Sequence, residues 1–335
     1  MSTTSHHRRL PLQELALAPA SRTAYNRQLD KFLLHTRLQH HHLFDTPPHQ
    51  LDRLLAEYIQ FSYDQHAPFG YAAHALHAVV HYNPLLKAHL PVARQCLKGW
   101  ERVKKSASHP PLTWELTVVI ACTLARSGFH APAISMLLAF DCYLRVGELT
   151  RIRRCDVVMP NDSRVGRVHA AVGTGMAICL PHTKTGPNQS VTVQNQVVAD
   201  ILCLWLKSLD LDASSEELVF RFSPTLLRQL MRNACIELGI GDTPYVPHSL
   251  RHGGATHDFA RTQSIEHVQF RGRWKSMESS RRYIQTTRAL LAAHQVPEHL
   301  DQLGRQLGDS LVTVMRHALV SVPSAAPPRR VTWRL

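Results

Sequence analysis

Four short segments beyond residue 140 hold side chains that are suited to binding a phosphate and to moving a proton. Arginine guanidinium groups bind phosphate oxygens through two parallel hydrogen bonds, histidine accepts a proton near neutral pH, and a tyrosine hydroxyl can act as a nucleophile. Each of these residue types is common in ordinary folded proteins, so their order and spacing carry the signal. In chain order the segments contain Arg145 and Glu148, then Lys184, then His248 and Arg251, and finally Trp274 with Tyr283 nine residues further on.

The charge of the chain indicates an anionic partner. Its 335 residues include 38 Lys and Arg against 25 Asp and Glu, a formal net charge of +13 at pH 7. The excess is +6 up to residue 111 and +7 from residue 112 onward, so it is not confined to a tail. Arginine outnumbers lysine 30 to 8. A nucleic acid is the expected partner, although charge alone leaves open a basic protein without one.

Several classes of protein are excluded by composition. The chain is 44% hydrophobic and 19% charged, which is typical of globular proteins and not of disordered or fibrous ones. The sequence contains no run of about 18 apolar residues, the length that a transmembrane helix needs. Its N-terminus lacks the apolar core of a secretory signal. We therefore expect no membrane association and no secretion, and a location in the cytoplasm or the nucleus.

The cysteines and histidines do not predict a metal site or a disulfide framework. The seven cysteines are scattered without a CxxC pair, which is typical of reduced cysteines in a core. Two histidine clusters, at residues 40–42 and at His74, His77 and His81, are interpreted as surface or core histidines because a fourth ligand is not evident. We expect neither a metal nor another cofactor.

In their order and spacing the four segments resemble the tyrosine recombinase (phage integrase) family. That family carries Arg-x-x-Glu-Leu, a lysine on a hairpin, His-x-x-Arg, a Gly-x-His/Trp box and a tyrosine nine residues later. All five elements are present in that order, and the resemblance covers about residues 112–288. Two departures stand out. Trp274 occupies the position where many members have histidine, and the stretch between Arg145 and Lys184 is long.

The resemblance implies a DNA strand-exchange enzyme. Arg145 and Arg251 would bind the non-bridging oxygens of a phosphodiester and stabilise its transition state. Tyr283 would be the nucleophile, and His248 would accept its proton or hydrogen-bond the phosphate. The product would be a 3′-phosphotyrosyl ester, which keeps the bond energy, so that rejoining needs neither ATP nor a metal.

The resemblance gives the other residues of the set supporting parts. Lys184, on its turn, would donate a proton to the leaving 5′-oxygen. Trp274 can only donate one hydrogen bond from its indole and pack the pocket. Glu148 would lie one helical turn from Arg145 and orient an arginine or a histidine.

The expected partner is double-stranded DNA with a specific recombination site, and no small-molecule substrate. Members of the family act as a homotetramer on two DNA sites, with two domains around the duplex, and their C-terminal segment often packs on a neighbouring subunit. Integration, excision and inversion share one chemistry, and a mobile genetic element is a common setting. The candidate DNA contacts are Lys104, Lys105, Arg151, Arg153, Arg154, Arg273, Arg281 and Arg282.

Three other functions remain open. A type IB topoisomerase uses similar chemistry but relaxes supercoils as a monomer without joining two sites. A non-catalytic DNA-binding protein could keep the fold, although the presence of Tyr283 and both arginines argues against it. An RNA-binding module is disfavoured, because the sequence has no aromatic box of the RNP type.

The periodicity of the sequence predicts the elements that must position these residues. We expect a mainly α protein: an all-helical, core-binding N-terminal domain and a C-terminal catalytic domain of mixed α+β type with a small antiparallel sheet. The expected boundaries are a flexible N-terminus at 1–20, the core-binding domain at 21–103, a basic linker at 104–111, the catalytic domain at 112–288, and a C-terminal helix and tail at 289–335.

Within this outline, turn and cap residues predict individual elements. Ser21 or Thr23, Thr113 and Ser223 are the expected helix caps. Short strands are expected at Val165–Val172, Met176–Pro181 and Ser190–Val193, and one continuous helix is expected over 276–287. The pair Gly253-Gly254 is expected to permit a close helix approach.

Overall fold

The computed structural model describes residues 12, 16–104, 109–160, 162, 175–183 and 186–321. The chain divides into two compact units, Met1–Ala107 and Ser108–Leu335, and the division falls inside the segment 104–111. The fold class is the predicted one, because the described residues are mainly helical with one small antiparallel sheet. In the described part of the chain, no helix is long and apolar enough to cross a membrane.

The described residues of the first unit form helices joined by short turns, and the core lies between four longer helices. A buried carboxylate fixes one of their ends: Asp52 accepts the N–H groups of Val92 and Ala93, two of the donors that a helix N-terminus leaves without an intrahelical partner. The helices are α1 Pro19–Thr36, α2 His42–Asp45, α3 Pro48–Asp64, α4 Phe69–Tyr82 and α5 Pro91–Val103, with a 3₁₀ turn at Pro84–Ala88.

The predicted cap of the first helix is wrong. α1 begins at Pro19, and neither Ser21 nor Thr23 precedes it. Proline is favoured in the first helical turn, where its missing N–H would have no partner in any case. The Thr23 hydroxyl instead donates back to the carbonyl of Pro19 at 3.1 Å.

The second unit is built around two helices that are buried on nearly every side. These are α6 Trp114–Arg126 and α7 His130–Asp141. Thr113 caps α6 as predicted, since its hydroxyl accepts the N–H of Leu116 at 3.1 Å. The other helices are α8 Val146–Leu149, α9 Gln196–Ser208, α10 Pro224–Glu237, α11 Pro247–Thr262, α12 Ile265–Gly272, α13 Met277–Arg281, α14 Thr286–Gln295, α15 Glu298–Asp309 and α16 Leu311–Ser321, with a 3₁₀ turn at Arg154–Asp156.

Ser223 caps α10 as predicted, since its hydroxyl accepts a hydrogen bond from the N–H of Leu226 at 3.1 Å.

A three-stranded antiparallel sheet lies in the second unit, in the order β1 Val157–Val158, β2 Ala177–Thr183 and β3 Gly186–Thr192. The strands expected near 176–181 and 190–193 are therefore present, although β3 begins earlier. The expected strand Val165–Val172 lies outside the described residues.

The expected continuous helix over 276–287 is wrong, because α13 ends at Arg281 and α14 begins only at Thr286. The segment between them contains Tyr283.

The C-terminal helices α15 and α16 pack on α6 of the same chain, and their residues Leu300, Leu311 and Met315 join the core of the second unit. Residues 322–335 lie outside the described part.

The glycine pair in α11 lets two elements approach its backbone closely, as predicted. A Cβ at Gly254 would collide with the carbonyl oxygen of Phe140 in α7, and a Cβ at Gly253 would collide with the carbonyl oxygen of Leu112. In both cases the obstacle is backbone, which cannot rotate away. This contact sets how closely α11 lies against α7.

We expect Gly254→Ala to lower the free energy of unfolding by about 2 kcal/mol or more, because an added methyl group in a filled core forces the backbone to shift. Gly308→Ala is the matched control, since no atom lies within 4 Å of its Cβ position. The control should be neutral or stabilise the chain by up to about 1 kcal/mol. Urea unfolding of the two full-length variants measures both values. Equal stabilities would show that the close approach of α11 is unimportant.

Candidate active site

The centre of the site is a guanidinium group that is sealed inside the protein. Arg251 lies on α11 and is 0% exposed. Its two terminal nitrogens donate to backbone carbonyls, Nη1 to Tyr143 and Nη2 to Gly272 at 2.9 Å. Burial, together with the nearby charge of Arg145, lowers the pKa of Arg251 to about 10. The side chain therefore still carries its charge at neutral pH.

Two sharp turns present the carbonyls that hold Arg251. The first follows α7, where Tyr143 adopts a left-handed conformation with φ of 49°. The second follows α12, where Arg273 does the same with φ of 57°. Non-glycine residues rarely adopt this conformation, but it is a common way to end a helix. Each turn redirects the chain so that Arg145, two residues after the first, and Trp274, directly after the second, enter the site.

Two aromatic rings cover the buried guanidinium. The Cζ of Arg251 lies 4.6 Å from the ring centroid of Trp274 and 5.1 Å from that of Tyr283. The two ring centroids are 4.6 Å apart. A cation over an aromatic face is attracted by the negative charge of that face. The rings thus stabilise the positive charge and separate it from solvent.

The backbone of Tyr283 is anchored by two side chains of α11. Its carbonyl accepts the hydroxyl of Thr256 at 3.2 Å and lies 3.4 Å from Nδ1 of His252. Its ring stacks on His252 with centroids 4.9 Å apart and meets the edge of His248 at 5.4 Å. Residues 248, 252 and 256 are spaced by four, so they share one face of the helix.

A carboxylate ties the second arginine of the set to the same region. The Glu148 carboxylate accepts three hydrogen bonds. They come from Nη1 of Arg145 at 2.8 Å, from the backbone N–H of Arg145 at 2.9 Å and from Nη2 of Arg273 at 3.1 Å. Burial alone would raise the pKa of Glu148, but the charges of Arg273 and Arg145 outweigh it and hold the pKa below its usual value. Glu148 is therefore a carboxylate that holds Arg145 and Arg273 beside each other.

The two histidines beside Tyr283 are neutral at physiological pH. Burial, together with the charge of Arg251, lowers the pKa of His248 to about 4. Burial, together with the neighbouring His248, likewise lowers the pKa of His252 to about 4. A neutral imidazole has a free nitrogen lone pair, so either ring can accept a proton.

Several buried donors near the centre have no hydrogen-bond partner among the described residues. They are Nε of Arg251, Nε and Nη1 of Arg273, and Nε1 of Trp274. Each such donor is costly to leave unpaired. A group of cationic and indole N–H donors in one region is suited to the oxygens of an anion.

Of the predicted catalytic residues, the structure brings Arg145, His248, Arg251, Trp274 and Tyr283 into one neighbourhood, with Glu148 supporting them. Lys184 lies outside the described residues. Sequence reasoning missed the support that His252 and Thr256 give to Tyr283. Successive steps of four residues from His248, to 252 and then to 256, were a usable signal for both. It also missed the buried ion pairs that Arg271 forms with Asp258 and with Asp141, which lies 130 residues away in the sequence.

The candidate DNA contacts divide by exposure. The exposed ones are Arg151, Arg153, Arg281 and Arg282. Arg154 is buried, with Nη1 donating to the carbonyl of Val157 at 3.1 Å, and the side chain of Arg273 is held inside by Glu148. Neither side chain lies at the protein surface in this conformation, so a DNA contact by either one stays a prediction. Lys104 lies over the ring of Phe69 at 3.6 Å, and Lys105 is outside the described residues.

The histidines of the second cluster pack against an aromatic ring. Among the residues that the structure describes, there is no group of three or more His, Cys, Asp and Glu side chains placed to hold a metal ion. His74, His77 and His81 instead surround the ring of Tyr25, with centroids 5.6 to 6.3 Å away.

The helical unit thus gathers arginines, neutral histidines and a tyrosine, which together supply donors for an anion and acceptors for a proton. The sequence profile described as the Phage integrase family matches residues 121–289, half of the chain. The chain therefore belongs to the phage integrase family of tyrosine-type site-specific DNA recombinases. A crystal structure of XerA recombinase is similar with a TM-score of 0.41 and 18% identity, over 85% of this chain and 95% of that one. No curated protein matches the sequence.

The lowered pKa of His252 makes the folded state sensitive to acid. Below its ordinary pKa of about 6.5, the unfolded chain takes up a proton that the folded chain refuses until about pH 4, so stability falls as pH falls through this window. Between about pH 7 and pH 5, the titration of this single imidazole lowers the free energy of unfolding by about 2 kcal/mol.

We expect His252→Gln to reduce the acid-induced loss of stability by about that amount, since glutamine does not titrate and keeps a donor for the Tyr283 carbonyl. Urea unfolding at the two pH values measures it. His257→Gln, an exposed position on the same helix, is the control and should leave the pH dependence as it is in the parent. An unchanged pH dependence in His252→Gln would contradict the prediction.

Proposed function

We propose that this recombinase cuts and rejoins DNA strands through a 3′-phosphotyrosyl ester formed on Tyr283, and exchanges strands between two DNA sites. The observation that carries the proposal is the packing of Tyr283 among a buried arginine and two neutral histidines, with Arg251 Cζ 5.1 Å from its ring centroid. A tyrosine used only for packing would need neither a cation nor proton acceptors beside its ring.

In the proposed first step, Arg145 and Arg251 bind the non-bridging oxygens of the scissile phosphate. Their charge reduces the repulsion of the nucleophile and stabilises the pentacoordinate transition state. The unpaired N–H groups of Arg273 and Trp274 would gain acceptors when an anion arrives. Their unmet hydrogen bonds support a phosphate as the missing ligand.

The proton of the Tyr283 hydroxyl passes to His248 as the phenolic oxygen attacks phosphorus. The bond from phosphorus to the 5′-oxygen breaks, and that oxygen takes a proton from Lys184. A free 5′-hydroxyl from a second strand then attacks the phosphotyrosyl ester and reverses the steps. The number of phosphoester bonds is conserved throughout, so no external energy source is consumed.

Access to the site requires that Tyr283 moves. Its ring lies over Arg251, which has no exposed surface, so a phosphate reaches that guanidinium only when the ring swings aside. The position of Tyr283 between α13 and α14 favours such a movement, because a short connecting segment breaks fewer backbone hydrogen bonds than a helix when it shifts.

The partner in this proposal is double-stranded DNA that carries a specific recombination site, bound by a homotetramer that joins two such sites. The exposed arginines at 151, 153, 281 and 282 are the surface cations we expect to contact phosphates. Phosphate contacts position a protein on DNA without reading its sequence, so specificity must come from other side chains.

We expect Tyr283→Phe to abolish covalent attachment to DNA and to leave DNA affinity within about twofold, because only the nucleophilic oxygen is removed. The parent protein is incubated with a library of duplexes, and the DNA that stays attached after denaturation is sequenced. Tyr245→Phe, which alters a buried core tyrosine of the same unit, is the control and should keep the adduct. An adduct that survives in Tyr283→Phe would place the nucleophile elsewhere.

A second experiment separates strand exchange from simple relaxation. A supercoiled plasmid with two copies of the captured sequence should give deletion or inversion products, because each ester can be attacked by a strand from the other site. A plasmid with one copy should give none within the molecule. Relaxed plasmid without recombinants from the two-copy substrate would instead indicate a topoisomerase.

A further inference from the structure

A buried ionic cluster behind the site has no part in the steps above. Arg271 lies on α12 with its side chain only 8% exposed, and it forms ion pairs with two carboxylates that are equally buried, Asp141 and Asp258. Its Cζ also lies 5.0 Å from the ring centroid of Tyr143. Burying three charged groups is expensive unless every hydrogen bond is satisfied.

The cluster joins three separate elements. Nη2 of Arg271 donates to the carbonyl of Asp141 at 2.7 Å, at the end of α7, and to its carboxylate at 3.3 Å. Nη1 of Arg271 donates to Asp258 on α11, and the hydroxyl of Tyr143 donates to the same carboxylate. One guanidinium therefore fixes the end of α12 against both other helices.

The points that Arg271 fixes are those that hold the phosphate-binding arginine. Arg251 donates to two carbonyls, of Tyr143 and of Gly272. Tyr143 is two residues beyond Asp141, and its ring and hydroxyl are held by the cluster. Gly272 directly follows Arg271 in the chain. Both carbonyls are thus anchored through the same guanidinium.

We infer that Arg271 is a positioning residue for catalysis, which sets the orientation of the Arg251 guanidinium by fixing the two carbonyls that hold it. The inference rests on the proposed function, in which Arg251 binds the scissile phosphate. Arg271 has no contact with the reacting atoms in this account.

The cluster requires the shape of arginine and not only its charge. Two nitrogens of one planar group reach Asp141 and Asp258 at the same time, whereas a lysine offers a single ammonium on a flexible stem. Arg271→Lys keeps the charge but cannot hold both partners in this geometry. A displacement of Arg251 of about 1 Å would slow the chemical step by about 100-fold.

The test measures the rate of covalent adduct formation and the DNA affinity of full-length variants on a duplex captured by the parent protein. Arg271→Lys should slow adduct formation by about 10- to 100-fold with affinity within about twofold. Arg261→Lys is the matched control, because Arg261 also approaches Asp258, at 3.7 Å, but is exposed. It should react at the parent rate.

A double-mutant comparison distinguishes positioning from general loosening of the fold. If Arg271 acts through Arg251, the double variant Arg251→Lys, Arg271→Lys should form the adduct less than about twofold more slowly than Arg251→Lys alone. The reason is that the guanidinium being positioned is already absent in Arg251→Lys. If Arg271→Lys fails to fold, Tyr143→Phe takes its place, since it removes only the hydroxyl bonded to Asp258.

The outcomes separate the two proposals. A parent protein that forms no adduct overturns the proposed function itself. A parent that reacts, with Arg271→Lys equally fast, overturns the positioning role alone. Losses that multiply in the double variant also overturn it, because a generally weakened fold would slow the reaction with or without Arg251.

Discussion

The buried guanidinium of Arg251 is the feature on which the rest of the structure depends. A charge without solvent must be satisfied by the protein, and here two backbone carbonyls and two aromatic faces do so. Supplying those carbonyls requires left-handed turns after α7 and α12. Bringing α7 against α11 requires glycine at position 254. The fold of the catalytic unit is thus shaped by the needs of one side chain.

The positions of the buried carboxylates determine which arginines of this region have a counter-ion. Arg145 and Arg273 share Glu148, and Arg271 has Asp141 and Asp258. Among the described residues, no carboxylate oxygen lies within 4 Å of the Arg251 guanidinium, so its charge has no direct counter-ion. The histidines at 248 and 252 stay neutral at physiological pH, so they neither add to this positive charge nor offset it. The region around Arg251 therefore keeps an excess of positive charge.

The sequence predicted the parts of this site that depend on local pattern. Helix caps at Thr113 and Ser223 follow from short-range hydrogen bonding, and the four motif segments were visible from residue type and spacing. The break at Tyr283 was not, because residues 276–287 keep helical periodicity while tertiary contacts from α11 hold the chain in a turn. The cluster around Arg271 was equally hidden, since Asp141 lies 130 residues away.

Residues 271–274 show why the tryptophan at the usual histidine position does not stand alone. Trp274 presents a broad ring over Arg251, and its six-membered ring lies against the backbone of Gly272, where a Cβ would overlap it. Arg273 supplies the turn that directs the indole inward and is held there by Glu148. Arg271 anchors the helix end from behind. A larger ring at position 274 thus needs its neighbours as they are, so the four residues function as one unit.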